Sequence, residues 1–171
     1  MKYHLQVLKK YLSLDATPQD IAQNLILKTC EIEGIEERII PKSIVIWKIE
    51  KVEKHPDADK LNICQVNCWD KWNFQIICWG SNVAPGLYVP VALVWTPFPQ
   101  AWITIAKRTM RGVDSEGMIC SKGELQINED KDTHRIWDLA QDLEDITDSD
   151  LWTPLTDKFP RLDSTVFEVD S

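Results

Sequence analysis

The spacing of apolar positions along the chain changes near residue 42. Before it, Leu5, Leu8 and Leu12 recur at intervals of three and four, with Tyr11 beside them, which is the period of one helix face. A second helix is better marked. Thr17 can cap it, Pro18 suits the first helical position, and Asp20 places a carboxylate in the first turn. Ile21, Leu25 and Thr29 then share a face, and Gly34 closes the segment. From Lys42 the spacing shortens toward two. An extended run holding Ile44, Ile46 and Val52 ends at His55-Pro56, and short apolar or alternating stretches follow at 61–68, 74–78, 87–94 and 103–105. Turn-forming groups separate them, among them Pro56-Asp57, Ser81-Asn82, Pro85-Gly86 and Pro97-Phe98-Pro99. Five short strands so punctuated predict a small all-β barrel or sandwich. From Asn128 the chain reads as an acidic loop until the β-prone Ser164 to Val169, which has no later strand to pair with.

Composition narrows the class. In 171 residues, 27% charged and 44% hydrophobic, there is room for one ordinary domain plus a partial or appended element. No run approaches the ~18–20 apolar residues that a membrane-spanning helix needs, and the start has no signal-peptide pattern. The five cysteines (Cys30, Cys64, Cys68, Cys78, Cys120) are odd in number and sit mostly inside apolar runs, which suits reduced, buried thiols. Zinc is not expected, because Cys64 and Cys68 share one strand-like run and no second pair follows at ligand spacing. A cytoplasmic location is expected. The net charge of −8 is uneven: residues 1–41 carry 5 basic and 6 acidic side chains, 42–127 carry 10 and 8, and 128–171 carry 4 and 13. The middle of the chain is thus at +2, which permits only modest, salt-sensitive contact with phosphate.

Three stretches carry a resemblance. His55-Pro56-Asp57-Ala58-Asp59-Lys60-Leu61 is similar to the H-P-x-A-D-K-L signature of the tRNA-binding domain shared by several synthetases and small tRNA-binding proteins. Gln75 to Cys78 with Asn82-Val83 and Gly86 resembles its second block, and Arg111 to Met118 its third, R-G-x-x-S-x-G-M. The three occur in family order across roughly 42–125. The flanks, 1–34 and 164–170, resemble the opening of the bacterial phenylalanyl-tRNA synthetase beta subunit and the strand with which that subunit resumes after its inserted barrel. The resemblance implies an α+β chain. A five-stranded OB-fold barrel, with an acidic extension, would occupy 42–152, between an N-terminal segment, 1–41, and a returning strand segment, 153–171, of one small incomplete domain. It also implies a piece of a longer subunit. Strand spacing alone leaves an SH3-like barrel open.

The chemistry expected is contact with RNA. Lys54 and Lys60 flank the His55-Pro56 turn, and Lys107, Arg108 and Arg111 cluster before the third block; Lys122 follows it. Such loops can aim cations at phosphates, while Asn82, Ser115 and Ser121 can reach sugars or base edges. Taken singly, each cation is also an ordinary solvated charge, and Asp59 and Glu116 are equally readable as loop braces. His55 has no nucleophile or second histidine near it in sequence, so neither triad nor metal catalysis is expected. No Gly-rich phosphate loop occurs. The resemblance implies tRNA and a synthetase alpha subunit as partners, with no DNA and no membrane. It implies ATP and Mg only in the complete ligase and no cofactor or catalytic residue on this chain. A stand-alone tRNA-binding or chaperone-like homodimer, and a purely architectural module, are the other two readings.

One anomaly remains. The chain has 8 tryptophans and only 6 glycines. By the resemblance, Trp47, Trp69, Trp79, Trp95, Trp102 and Trp152 fall where related chains have glycine. Trp72 is ambiguous, and Trp137 stands where a large residue is acceptable. Three explanations are open: UGA codons that mean glycine in the source cell, aromatic platforms for stacking bases, or β-prone core tryptophans.

Overall fold

The computed structural model of the chain describes residues 2–5, 8, 16–28, 32–67, 73–98, 103–127 and 134–169. In chain order the strands begin with β1 (Lys2–His4), β2 (Ile32–Arg38), β3 (Ile44–His55), β4 (Ala58–Asn67), β5 (Asn73–Cys78) and β6 (Tyr88–Leu93). Shorter pieces follow: β7 (Pro97–Phe98), β8 (Ile103–Thr104), β9 (Arg108–Met110), β10 (Val113–Ser115) and β11 (Gly117–Ile119), then β12 (Ser164–Val169). The helices are α1 (Pro18–Lys28), α2 (Leu139–Asp142) and α3 (Leu155–Lys158). They fall into two compact units, Met1–Ile40 with Phe159–Ser171, and Pro41–Lys158.

In the first unit an antiparallel sheet has the order β1-β12-β2, and the last strand of the chain lies in its middle. Helix α1 starts where its residues dictate. Thr17 Oγ1 accepts the Asp20 N–H at 3.2 Å while the Asp20 carboxylate accepts the Thr17 N–H at 3.2 Å, a reciprocal cap. The Thr17 hydroxyl also donates to Asp20 Oδ2 at 2.7 Å, and this bond first, then that of the Thr17 N–H, holds the Asp20 carboxyl below the usual carboxylate range. Ile21 and Ala22 pack with Leu5 and Phe167, and Leu8 and Leu25 flank them. Most of the first helix expected from sequence lies outside the described residues. Gly34 does not close α1; it sits inside β2, opposite Glu168. The terminal segment without an evident partner is therefore the strand that β1 and β2 both need.

The second unit is a five-stranded antiparallel sheet, order β11-β6-β3-β4-β5, curled until its ends meet. Twelve residues long, β3 pairs along its first part with β6 and along the rest with β4, with a register shift between Ile49 and Lys51 that bends the strand. At the seam, Glu116 N–H donates to the Gln75 carbonyl at 2.9 Å and Ile77 N–H to Ser115 Oγ at 3.1 Å. The sheet is thus a nearly closed barrel. Alternation accounts for its filling: Cys64 and Val66 point inward from β4 and meet Val45, Ile49, Ile76, Val89 and Val91. Truncating a fully buried member such as Ile76 to alanine costs ~2–5 kcal/mol.

The fifth strand is not the expected 103–105. Residues 103–104 form only a short pair with Pro97–Phe98, and Ile103 is exposed. The fifth strand is β11, inside the third motif block, where Gly117 lets β11 approach β6. A Cβ at that position would lie 3.0 Å from the Ala92 carbonyl oxygen. Residues 134–158 are likewise more than a loop. Ile136 joins the barrel core, Leu139 and Leu155 are fully buried, and Thr153 O accepts the Ile46 N–H at 3.0 Å. Residues 153–158 thus belong to the same compact unit as the barrel, although the sequence placed its end at 152.

Candidate nucleic-acid interface

Two loops carrying the first and third motif blocks meet at one rim of the barrel. His55, 4% exposed, ends β3; its Nδ1 accepts the Asp57 N–H at 3.1 Å. That leaves Nε2 as the protonated nitrogen, which donates to the Met110 carbonyl at 3.1 Å. Across the same gap, the Arg111 guanidinium donates to the Asp57 carbonyl. Arg111 and Gly112 form the two-residue connection between β9 and β10, and both have positive φ (47° and 83°), as a type I′ hairpin turn requires. Gly112 adopts this freely; Arg111 does so against its side chain's preference.

Four cations lie on the elements that carry these two joined turns. Lys54 and Lys60, on the two strands of the β3–β4 hairpin, are exposed and have no ion-pair partner among the described residues. Arg108, exposed and likewise unpaired among them, borders a cavity of about 240 Å³ whose lining includes Ile77, Ile105, Met118 and Glu124. Arg111 is the fourth. Asp57 and Asp59 stand exposed among them and moderate the local charge.

The other expected contacts are held elsewhere. Lys107 pairs with Glu116 at 3.2 Å and Asp114 at 3.3 Å, bonds that raise its pKa. Asp114 is held low, first by Thr109 Oγ1 and then by Lys107. Lys122 pairs with Asp142 at 2.6 Å and lies over the Trp137 ring. Asn82 bonds both ways with the backbone of one residue, its Nδ2 donating to Ile136 O at 3.0 Å and its Oδ1 accepting the Ile136 N–H at 2.9 Å. Ser115, 3% exposed, accepts from Ile77 N–H and donates to Gly117 O at 3.2 Å. Ser121, 1% exposed, donates to Glu124 Oε2 at 2.8 Å and accepts the Glu124 N–H at 3.1 Å. These three side chains close turns and the barrel seam. Sequence reasoning did not separate them from the exposed cations, because polarity at a motif position says nothing about burial.

Cys64, Cys78 and Cys120 are free, buried thiols. Burial pushes Cys64 up to about 12 and Cys78 to about 11, so neither is a nucleophile or a ready metal ligand at neutral pH. Cys30 and Cys68 lie outside the described residues. Among the described residues no cluster of His, Cys, Asp and Glu could hold a metal ion, and no helix is long and apolar enough to cross a membrane.

A nearly closed five-stranded antiparallel barrel with cation-bearing loops at one rim is an OB-type domain in an α+β chain. The match is more particular than the fold. The chain belongs to the putative tRNA-binding domain family, whose pattern covers residues 44–147. It is 38% identical over 136 residues to the phenylalanine–tRNA ligase beta subunit of Burkholderia pseudomallei (strain 1710b), covering 76% of this chain and 17% of that one. It is 40% identical over 128 residues to the same subunit of Synechococcus sp. (strain JA-3-3Ab), covering 74% and 16%. With the subunit from Synechococcus sp. (strain JA-2-3B'a(2-13)), 37% identity extends over 145 residues, 84% of this chain and 17% of that one. The chain thus spans about a sixth of the length of these relatives. A solved structure, the C-terminal domain of Plasmodium vivax p43, is matched at 26% identity over 44% of this chain and 43% of that chain, with a TM-score of 0.35.

Proposed function

We propose that the barrel is a non-catalytic tRNA-contact module within a phenylalanine–tRNA ligase beta subunit. It holds the RNA backbone at the joined turns that carry Lys54, Lys60 and Arg111, with Arg108 at the start of β9 leading into them. The observation that carries this is the Arg111 bond to the Asp57 carbonyl, which draws the third-block turn onto the His55-Pro56 turn. His55, Asn82, Ser115 and Ser121 then act by positioning loops, and Lys107 and Lys122 remain in their ion pairs. Contacts of this kind read phosphate charge and RNA shape rather than base sequence. The module works in the cytoplasm, in a complex with an alpha subunit. ATP, Mg and phenylalanine are handled outside this chain.

The beta-subunit relatives align over 74–84% of the chain, beyond the 44–147 stretch of the barrel, which favours the subunit reading over a stand-alone homodimer. Retention of bulk tRNA across a salt series tests the proposal. Lys60→Ala and Lys54→Ala each reduce the slope of log affinity against log salt by about one unit. Full retention with an unchanged slope in both variants would remove the rim from the reading.

A further inference from the structure

A bulky residue in a left-handed backbone conformation is an outlier, yet two of the described tryptophans adopt one: Trp95 at φ 75° and Trp152 at φ 71°. Both stand at the same place in the same kind of turn. Thr96 N–H donates to Leu93 O at 3.0 Å, so Leu93 to Thr96 is a hydrogen-bonded β-turn whose third residue is Trp95. Thr153 N–H donates to Asp150 O at 3.1 Å, so Asp150 to Thr153 is another, with Trp152 third. In the second turn Leu151 has φ −58° and ψ 140°. A type II turn asks for about −60° and +120° at its second residue and about +80° in φ at its third, where glycine is the usual occupant. Nor are these rings held by burial: Trp95 is 79% exposed and Trp152 44%.

Trp137 provides the contrast. It is 3% exposed, its indole N–H donates to Asp142 Oδ2 at 2.8 Å, and Lys122 lies over its ring. Every part of that side chain has a use. Trp47 is fully buried too, but its indole N–H has no partner among the described residues and its ring stacks on Trp152 at 5.6 Å. Glycine at 152 would remove one wall of the arrangement that accommodates it.

We infer that positions 95 and 152 are glycine in the protein its own cell makes, encoded by UGA, whereas Trp137 is a true tryptophan encoded by UGG. Tryptophan's single ordinary codon is UGG; UGA differs from it in the last base and from the glycine codon GGA in the first. A single reassigned codon accounts for both strained turns and for the shortage of glycine beside an excess of tryptophan. The geometry selects positions 95 and 152 without reference to any related chain.

The coding sequence gives the first reading: UGA at 95 and 152 with UGG at 137 is expected, and UGG at 95 or 152 overturns the inference. The protein purified from its source cells gives the second. Trypsin releases 136–158 as one peptide holding both Trp137 and Trp152. Its mass should correspond to one tryptophan and one glycine; a mass requiring two tryptophans would refute it. In a chain expressed with tryptophan at all 8 of its tryptophan positions, Trp95→Gly should raise Tm by about 2–8 °C, as relief of strain at one site in a domain of this size does, and Trp152→Gly should raise it less, because it also gives up the stack on Trp47. Trp137→Gly should lower it. A fall in Tm for both turn variants would show that these positions do not require glycine.

Discussion

The barrel seam and the barrel rim are both built from motif residues, and they do opposite things. At the seam Ser115 bonds Ile77 and Gly117, and beside it Asn82 and Ser121 brace loops through Ile136 and Glu124. At the rim, Lys54, Lys60 and Arg108 offer their charges outward, and the bond from Arg111 serves to bring two loops together. A family signature can thus be mostly scaffold. The polar residues that look most ready for hydrogen bonding are already used within the fold, and the exposed cations are the groups that it leaves without partners among the described residues.

That contrast can be broken, first and hardest, at the bracing residues. Asn82→Ala strands the N–H and C=O of Ile136 at once, and should destabilise the domain by ~1–3 kcal/mol in a urea titration. tRNA affinity, measured where the variant is still folded, should barely change. If affinity collapsed while stability held, Asn82 would belong to the rim instead. A second effect separates the core from the surface by pH. A thiol with a raised folded pKa keeps its proton while the unfolded chain loses one. Stability is therefore full below pH 9 and falls as pH rises from about 9 toward the folded value of about 12 for Cys64. The slope is ~1.4 kcal/mol per pH unit per such thiol. Urea midpoints at about pH 8 and about pH 10.5 should differ in this sense, and Cys64→Ala should lessen the difference. Rim charges give a smaller signal. Lys60→Ala should leave the urea midpoint unchanged and weaken tRNA binding a few-fold at low salt. Smallest of all, Lys107→Ala should do almost nothing to binding, because Asp114 and Glu116 already occupy that ammonium group. A loss equal to that of Lys60 would merge the two kinds of cation.

How much of this was legible in the chain follows from what sequence patterns record. The long strands β3 to β6 were readable because each is an apolar or alternating run of six residues or more bounded by turn residues (β4 alternates, while β3, β5 and β6 carry continuous buried stretches), and α1 because Thr17, Pro18 and Asp20 spell its start. The fifth strand was not. Three residues, Gly117 to Ile119, carry too little alternation to register, and the motif around them drew attention to chemistry instead. Residues 134–158 were hidden by their acidity. Asp138, Asp142, Asp148 and Asp150 cap short helical turns or hold Lys122, Lys48 and Lys158, while Ile136, Leu139 and Leu155 between them go into the core. The exposed cations were found as a set but not sorted. Whether a lysine is paired depends on residues distant in sequence, as with Lys48 and Asp148.

The order β1-β12-β2 has a consequence for biosynthesis. A ribosome delivers β1 and β2 early, yet neither has a sheet to join until Ser164 to Val169 emerges, more than a hundred residues later. Among the described residues the barrel strands pair within their own unit, with one another and through Val45 with Pro154, so that unit can mature while the strands ahead of it still wait. When β12 arrives, Ser164 takes its place opposite Arg38, and two stretches of chain made far apart in time close into one sheet, like a drawstring pulled tight.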